Sequence, residues 1–397
     1  MRGAGVKVSH RAARSLLAGH PWVFRDSLLR PLPDKEAGEL IAVHDEDGRP
    51  LGWGLVEPEG AIAVRMVSAA ESFAWSEAVL AERLEAALAL REALLPPSVA
   101  TACRLVHGEG DGLPGLAVDR LGEFLLIYKY SRAAEAYLDA LVPVLERRLS
   151  PAGIYMQDRV RGVVADERRP PAFHLTGKTA PPDVEVQEDG LTFLVDVSAP
   201  VSPGLFLDLR EGRRLVESLC AGKRVLNLFS FTGSFGVRAV RAGARQVVNI
   251  DAAARSHVRC RQNLAASGLD PEACENLTGD VFAFLERMRQ RDERFDLIIV
   301  DPPPFSRVKG KVFSAMRDWE ELMQATAHVA APGGQALAIS NAAKLEEGEL
   351  LSAIGRGCAQ ADRSVRLLGE VGLPEDFPVP PAFEEGRYLK IKRLRLA

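Results

Sequence analysis

The chain of 397 residues is poor in cysteine and has no long apolar run. Its five cysteines are scattered without a CxxC pair, which argues against a disulfide framework and a cysteine-based zinc site. No stretch of about eighteen apolar residues occurs, and no apolar run follows the N-terminal basic residues, so neither a membrane span nor a signal peptide is indicated. We therefore expect a cytoplasmic protein that does not associate with a membrane.

The sequence also lacks an excess of positive charge, since its formal net charge is −4. Nucleic-acid binding relies on Lys and Arg, so the total charge gives that function no support. Basic residues nevertheless gather in three segments, 2–14, 159–169 and 309–317, which could form a positive face. Taken alone, such clusters are more typical of ordinary solvated surface.

The length exceeds what one hydrophobic core usually fills, so we expect two or three domains. Residues 1–70 predict a small β domain, because short apolar strands at 40–44, 51–56 and 61–67 are separated by turns. Residues 71–183 predict a central α/β domain that begins with an amphipathic helix over 72–95. Its further elements are expected at 116–119 (strand), 123–130 (strand), 133–148 (helix) and 153–158 (strand), with a loop rich in Pro and charge at 166–183.

Residues 184–397 predict a third domain with a different order of secondary-structure elements. A hairpin over 184–197 turns at Asp189-Gly190, and helices then alternate with short apolar strands from residue 213 onward. Such alternation is typical of a doubly wound α/β fold with a parallel sheet, in which ligands bind at the carboxyl ends of the strands. These strands are expected at 224–229, 246–251, 276–278, 295–300, 335–340 and 365–369.

A turn of small residues follows the first of these strands, within the segment VLNLFSFTGSFG at 225–236. Glycine in such a turn lets the backbone approach a ligand that a β-carbon would exclude. The turn contains only Gly233 and Gly236 and is surrounded by phenylalanines, so it differs from the three-glycine fingerprint of dinucleotide sites. The pattern favours a smaller cofactor with a single nucleoside.

Acidic residues follow the next three strands, at the same edge of the sheet. Asp251 can accept hydrogen bonds from both hydroxyls of a ribose. Asp280 can accept from an adenine amine while Val281 packs near the ring, and Asp301 begins the DPPPF segment. Each acid alone is more often a loop residue or a helix cap. Their order at successive strand ends favours a cofactor site.

Segments along nearly the whole chain carry a resemblance to a known family. They are HPWVF at 20–24, GEGDGLPGLAVDRLG at 108–122, GLFLDLREGR at 204–213, VLNLFSFTGSFGVRA at 225–239 and VDPPPF at 300–305. With them the chain resembles the bacterial large-subunit ribosomal RNA methyltransferases of the class I superfamily. The resemblance implies a PUA-like RNA-binding barrel, a central α/β domain and a Rossmann-like methyltransferase domain. It also implies S-adenosylmethionine as cofactor and large-subunit ribosomal RNA as partner.

The resemblance further implies that residues just before the first helix of the methyltransferase domain close over the cofactor. Together with the strand ends, the expected cofactor-binding residues are Phe206, Asp208, Arg210, Asn227, Phe229, Ser230, Thr232, Gly233, Asp251, Asp280, Val281, Asp301 and Pro302. No metal site is expected.

Relatives that methylate cytosine carbon 5 use a cysteine thiolate to attack the base, and one has a Ser-Cys-Ser triplet after the fifth strand. Here that place reads ISNA at 339–342. No cysteine stands at the end of the fourth or fifth strand, so the nucleophile that this reaction needs is missing there. We expect Cys260, Cys274 and Cys358 to be buried structural residues on helices or their flanks.

Relatives that methylate guanine nitrogen 7 resemble the chain more closely at the active site, since they have a DPPxFS stretch and a later Ser-Asn segment followed by Lys. The corresponding segments are DPPPFS at 301–306 and SNAAK at 340–344. Nitrogen 7 has a free lone pair, so positioning can replace covalent activation. The expected substrate residues are Asp301 and Asn341 at the base edge, Phe305 stacked on the base, and Lys309 and Lys344 at phosphate. A core aromatic closing the loop is an equally good interpretation of Phe305.

Other function classes stay open at this point. A nicotinamide-dependent oxidoreductase would need a diphosphate-binding turn, which is absent. A non-catalytic RNA-binding or ribosome-assembly protein could retain the fold with an altered fifth-strand motif. Exocyclic-amine methylation is less favoured because Pro304 delays the aromatic residue by one position. The sequence does not distinguish a monomer from a homodimer.

Overall fold

The computed structural model describes residues 5–160, 171–200, 202–303, 305–308, 311–314 and 316–397. The chain forms two compact units. The first consists of Met1–Asp189, Val195–Pro203 and Glu375–Glu384, and the second of Gly190–Leu194, Gly204–Pro374 and Glu385–Ala397. None of the described helices is both long and apolar enough to cross a membrane.

The first unit begins with a five-stranded sheet in the order β1-β3-β4-β5-β2. Its strands are β1 (Val6–Lys7), β2 (Trp22–Phe24), β3 (Leu40–His44), β4 (Pro50–Val56) and β5 (Ile62–Ser68). The helix α1 (His10–Leu17) precedes β2, and the Ser9 hydroxyl caps it by accepting from Ala12 N. The three strands predicted in this region are confirmed.

A second five-stranded sheet, in the order β10-β9-β8-β7-β6, completes the first unit together with two helices. The elements are α2 (Glu77–Leu94), β6 (Ala102–His107), β7 (Leu116–Leu121), β8 (Phe124–Lys129), α3 (Glu135–Leu149), β9 (Gly153–Asp158) and β10 (Phe173–Gly177). One face of this sheet packs against α2 and α3 in a continuous apolar core. Next come β11 (Val184–Glu188) and β12 (Leu191–Val195), on either side of Asp189-Gly190, where both φ angles are positive as the predicted turn requires.

The second unit is built on a seven-stranded sheet in the order β15-β14-β13-β16-β19-β21-β20. Its strands are β13 (Arg224–Leu228), β14 (Gln246–Asp251), β15 (Cys274–Thr278), β16 (Phe295–Val300), β19 (Ala330–Ser340), β20 (Val365–Val371) and β21 (Lys390–Leu396), and the short pair β17 (Phe305–Val308) and β18 (Lys311–Ser314) follows β16. Its helices are α4 (Arg210–Leu219), α5 (Ser234–Arg241), α6 (Ala254–Ala266), α7 (Val281–Gln290), α8 (Trp319–His328) and α9 (Glu347–Gln360). The five strands from β15 to β19 in the sheet order pair in parallel, so their carboxyl ends share one edge.

Three sequence predictions about elements were wrong. Helix α2 begins at Glu77 rather than at residue 72, because the Ser76 hydroxyl caps it by accepting from Val79 N. The predicted loop at 166–183 contains β10, an edge strand that pairs with β9, while residues 166–170 lie outside the described residues. The sheet of the second unit is not wholly parallel, since β21, which was not predicted, pairs antiparallel with β19 and β20.

Candidate active site

The loop after β13 has an unusual backbone. Phe229 and Phe231 have φ angles of 57° and 47°, in the left-handed region that bulky residues rarely adopt. Hydrogen bonds hold this conformation, because Ser230 N donates to Ile250 O at 2.9 Å and Phe231 N donates to the Asp251 carboxylate at 2.8 Å. A strained backbone fixed in this way is a common feature of ligand sites.

A row of hydrogen-bonded amide side chains, of which Asn227 and Asn249 are buried, lies on the strands that precede this loop and its neighbours. Asn227, Asn249 and Asn276 lie side by side on β13, β14 and β15. The Asn227 amide donates to Asn249 Oδ1 at 2.9 Å, and the Asn249 amide donates to Asn276 Oδ1 at 3.1 Å. A β-carbon at Gly236 would lie 2.7 Å from Asn249 Oδ1, and one at Gly233 would overlap the sulfur of Cys260. Both glycines of the turn are therefore required by close packing beneath it.

The ends of β14 and β15 lie beside the loop. Asp251 Oδ2 accepts from Phe231 N, and Asp251 Oδ1 accepts from Ala253 N at 2.8 Å, which leaves further lone pairs on both oxygens. Gly279 N donates to Asp251 O, so the segment after β15 is adjacent. Asp280 caps α7 by accepting from Ala283 N at 2.9 Å, and Val281 is buried in the core.

Two buried polar atoms at the loop have no hydrogen-bond partner among the described residues. They are the Ser230 hydroxyl and the Asn227 Oδ1 atom. Buried polar groups are normally satisfied, so atoms of this kind are expected where a polar ligand binds. The residues present therefore fit a cofactor that carries hydroxyl and amino groups.

A segment before α4 packs onto the same loop. The Thr232 hydroxyl donates to Gly204 O at 2.6 Å, and the ring of Phe206 lies 5.3 Å from that of Phe231. The buried Arg213 side chain donates to Phe206 O at 2.7 Å, which fixes the backbone of the segment. Arg210, at the start of α4, is also buried.

Two carboxylates, those of Asp301 and Asp208, interact electrostatically at the end of β16. Burial raises the pKa of Asp301 to about 7, the neighbouring Asp208 carboxylate acts in the same direction, and Arg213 opposes the shift. The Tyr388 hydroxyl donates to Asp208 Oδ2 at 2.8 Å and so fixes the second carboxylate. Pro302 next to Asp301 is buried. This pair provides an acidic group whose charge changes near neutral pH.

The end of β19 provides an exposed amide. Ser340 is buried and Asn341 is exposed, as is Lys344 a few residues later. The Lys390 ammonium donates to Ala342 O at 3.3 Å, which ties this segment to β21. Burial lowers the pKa of Lys390.

The expected site residues stand at the carboxyl ends of neighbouring strands, with Phe206, Asp208 and Arg210 beside them. The roles expected for the Phe305 side chain and for Lys309 fall outside the described residues. Sequence reasoning missed Arg213, Tyr388 and Lys390, because their importance depends on contacts with distant segments. The alternating pattern KIKRLRL at 390–396 was the available signal for the strand beside them.

The five cysteines are all buried, and none of them forms a disulfide. Cys260 lies on α6 and Cys358 on α9, whereas Cys274 is the first residue of β15 and not part of a helix or its flank as expected. Within the described part of the chain, no group of three or more His, Cys, Asp or Glu residues could hold a metal ion.

Comparisons with known proteins identify the family to which the chain belongs. The family model of S-adenosylmethionine-dependent methyltransferases matches residues 103–384, and the PUA-like domain matches residues 6–69. The chain is 33% identical over 378 residues to ribosomal RNA large subunit methyltransferase I of Photobacterium profundum, with 95% of each chain covered. It is 32% identical to the protein of the same name from Escherichia coli O127:H6, with 95% of each covered.

Solved structures share the fold over almost the whole chain. A putative methyltransferase complexed with SAH has a TM-score of 0.89 at 24% identity, with 98% of this chain and 99% of that chain covered. A putative S-adenosylmethionine-dependent methyltransferase from Streptococcus mutans has a TM-score of 0.87 at 24% identity, with the same coverage. The chain is thus an S-adenosylmethionine-dependent methyltransferase with an N-terminal PUA-like domain, and it belongs to the family that contains the proteins named ribosomal RNA large subunit methyltransferase I.

Proposed function

We propose that this enzyme transfers a methyl group from S-adenosylmethionine to a base of large-subunit ribosomal RNA. The relatives that match nearly the whole chain are named for that substrate. The N-terminal PUA-like domain (residues 1–70) is assigned to RNA binding, residues 71–183 to a central α/β domain, and residues 184–397 to methyl transfer. Helix α1 supports the first assignment, since its His10, Arg11 and Arg14 side chains are exposed.

The cofactor is assigned to the strand ends around Gly233. Asp251 holds the ribose hydroxyls, Asp280 and Val281 take the adenine, and the loop with Asn227, Phe229, Ser230 and Thr232 contacts the remainder, as do Asp301 and Pro302 from the end of β16. Asp208 and Arg210 close the site from the segment before α4. The Ser230 hydroxyl, which has no hydrogen-bond partner among the described residues, supports this placement, because a bound polar group would satisfy it. S-adenosylmethionine supplies an electrophilic sulfonium methyl group when it is bound.

The methylated atom is assigned to a ring nitrogen of guanine, without a covalent intermediate. One observation carries this assignment: the ends of β16 and β19 present a carboxylate and an exposed amide, and all five thiols are buried elsewhere. Asp301 and Asn341 can bond the edge of a base, while Phe305 is assigned to stacking and Lys309 and Lys344 to phosphate. A nitrogen lone pair needs only to be held in line with the methyl group.

Mass spectrometry of ribosomal RNA nucleosides, from cells with and without the gene, tests this proposal directly. We expect a methylated guanine nucleoside to disappear from large-subunit RNA when the gene is deleted. Loss of 5-methylcytosine instead would reject the nitrogen assignment and retain the methyltransferase. An unchanged nucleoside profile, in a strain that expresses the protein, would favour a non-catalytic role in RNA binding or ribosome assembly.

A further inference from the structure

Phe206 exposes an aromatic ring at the rim of the active site. Among the aromatic side chains whose exposure the structure describes, Tyr130, Phe173 and Phe206 are the most exposed, and Phe206 exposes 40% of its surface. The ring is tilted by 44° against that of Phe231, with 5.3 Å between the centroids. One side of this aromatic pair is therefore open to a ligand while the other is supported.

The backbone on both sides of the pair is rigid. Phe206 O accepts from the Arg213 side chain and from Leu209 N, and Arg213 is completely buried. Phe231 N donates to the Asp251 carboxylate at 2.8 Å. A ring that is fixed before binding loses little conformational entropy when it stacks on a ligand.

The order of strands indicates which ligand the ring meets. The strands β15 and β14, assigned to adenine and ribose, lie on one side of β13, while β16 and β19 lie on the other. Phe206 reaches the loop after β13 through Phe231, and its neighbour Asp208 interacts with Asp301 after β16 and with Tyr388 before β21. The segment therefore extends from the loop after β13 toward β16 and β21, which lie on the side of β13 away from the strands assigned to the adenosine.

We infer that Phe206, supported by Phe231, is a second surface, besides the one assigned to Phe305, on which the target nucleobase of the RNA stacks during methyl transfer. This assigns Phe206 to the substrate rather than to the cofactor, and it rests on the proposed RNA substrate. Enzymes that modify a base turn it out of the stack, and an aromatic side chain replaces the neighbours that the base has lost. Stacking of this kind accepts any base, so Asp301 and Asn341 remain responsible for choosing it.

Three variants at this position separate a stacking role from other roles. Phe206→Tyr keeps the ring, Phe206→Leu keeps an apolar side chain without a π face, and Phe206→Ala removes both. Phe173→Ala is the matched control, because Phe173 is 48% exposed and lies on β10 in the other unit. The measurements are kcat/KM for tritiated methyl transfer to unmodified large-subunit ribosomal RNA transcribed in vitro, and the Kd of S-adenosylhomocysteine by calorimetry.

We expect Phe206→Ala and Phe206→Leu to lower kcat/KM for RNA by about tenfold or more, and Phe206→Tyr to stay within about threefold of the wild type. The Kd of S-adenosylhomocysteine should change by less than about twofold in all of them, and Phe173→Ala should match the wild type. A Kd that rises in Phe206→Ala as much as kcat/KM falls would overturn the inference, because the ring would then cover the cofactor. Full activity of Phe206→Ala or Phe206→Leu would also overturn it. A wild-type enzyme that methylates no transcript would reject the proposed function, and this inference with it.

Discussion

Asp251 connects the loop after β13 to the proposed ribose site. Its two oxygens accept from Phe231 N and Ala253 N, and the remaining lone pairs are assigned to the cofactor. We expect Asp251→Ala to weaken binding of S-adenosylhomocysteine by about 1 to 3 kcal/mol, because the ribose hydroxyls then lose the carboxylate that accepts their hydrogen bonds. Asp251→Asn keeps one carbonyl oxygen, so its affinity for S-adenosylhomocysteine should lie between those of the wild type and Asp251→Ala. Calorimetry on variants with a wild-type circular dichroism spectrum checks this, and unchanged affinity in Asp251→Ala would contradict the placement.

The charge of Asp301 should control the pH dependence of turnover. Burial and the Asp208 carboxylate raise its pKa to about 7 from 3.8, so the folded protein binds this proton more tightly than the unfolded chain does. The stabilisation by protonation is complete below pH 3.8 and is lost as the pH rises through about 7. If the ionised carboxylate accepts a hydrogen bond from the base, kcat should rise as the pH passes through the pKa of about 7.

Asp208→Asn tests that coupling, because it removes a like charge beside Asp301. The pKa of Asp301 should fall, and the acidic limb of the kcat profile should move to lower pH. Measuring kcat from about pH 5.5 to about pH 8.5 at saturating cofactor shows the shift independently of any loss of affinity. A limb that stays in place in Asp208→Asn would show that another group titrates there.

At the scale of elements, the turn at Gly233 depends on packing as well as on backbone conformation. Gly233 and Gly243 have nearly the same φ, 76° and 77°, but a β-carbon at Gly233 would overlap Cys260, whereas one at Gly243 meets nothing within 4 Å. Gly243→Ala should therefore cost only the left-handed strain, about 1 to 2 kcal/mol. Gly233→Ala should cost clearly more free energy of unfolding and should also weaken binding of S-adenosylhomocysteine. Urea unfolding and calorimetry compare the two variants. Equal losses of free energy of unfolding would show that Cys260 can move aside at little cost.

The elements that could be predicted from the sequence are those whose pattern is contained in a few consecutive residues. The apolar strands β13, β14 and β16 were found because they are short, buried runs between helices, and the turn at Asp189-Gly190 has the residues that its positive φ angles need. Strand β10 was missed because it is a largely exposed edge strand that pairs with β9, and β21 was missed because its apolar residues alternate with Lys and Arg instead of forming a continuous run. The same limit applies to the site. Asp251 and Asp301 follow recognisable strands, but Tyr388 joins Asp208 across 180 positions of sequence.

At the scale of the molecule, the PUA-like domain is integrated with the central α/β domain. Leu55 and Val67 of its sheet belong to the core that packs on α2. Arg65 lies between Glu57 at 2.7 Å and Glu109 at 2.5 Å, and the Trp22 indole donates to Glu109 at 2.8 Å. Deleting residues 1–70 would therefore expose part of this core and leave the Glu109 carboxylate without its Arg65 and Trp22 partners. Point variants are the appropriate test of its proposed role in RNA binding.

We expect Arg11→Gln/Arg14→Gln to weaken RNA binding and to reduce its salt dependence. Both side chains are exposed on α1, and each phosphate contact contributes about 0.9 to the slope of log K against log salt for duplexes, so the slope should fall by about one to two. Arg147→Gln/Arg148→Gln on α3 makes the same change of net charge and serves as the control. Filter binding of ribosomal RNA across a salt series gives the slope, and equal slopes for both double variants would argue against a specific role of α1.

The burial of all five thiols determines which type of reaction the enzyme can carry out. A covalent mechanism needs an accessible thiolate within reach of the base, but all five cysteines are buried, and burial raises the pKa of Cys220 and Cys358 to about 11. Cys260 and Cys274 lie beneath the turn, and their thiols interact with each other. Replacing all five by Ser or Ala should therefore leave turnover within about tenfold of the wild type, provided that the variant folds.

Asp301→Ala and Asn341→Ala should instead lower turnover more than affinity for S-adenosylhomocysteine, because both side chains are assigned to the base and neither is assigned to the ribose or the adenine. RNA that contains 5-fluorocytosine gives the decisive comparison, since a cysteine enzyme is trapped on it as a stable covalent adduct. We expect no adduct on a denaturing gel with the wild type, and continued methylation of guanine in the same RNA. A stable adduct that disappears when one cysteine is replaced would restore the cytosine mechanism, and it would require that the buried thiol becomes accessible when RNA binds.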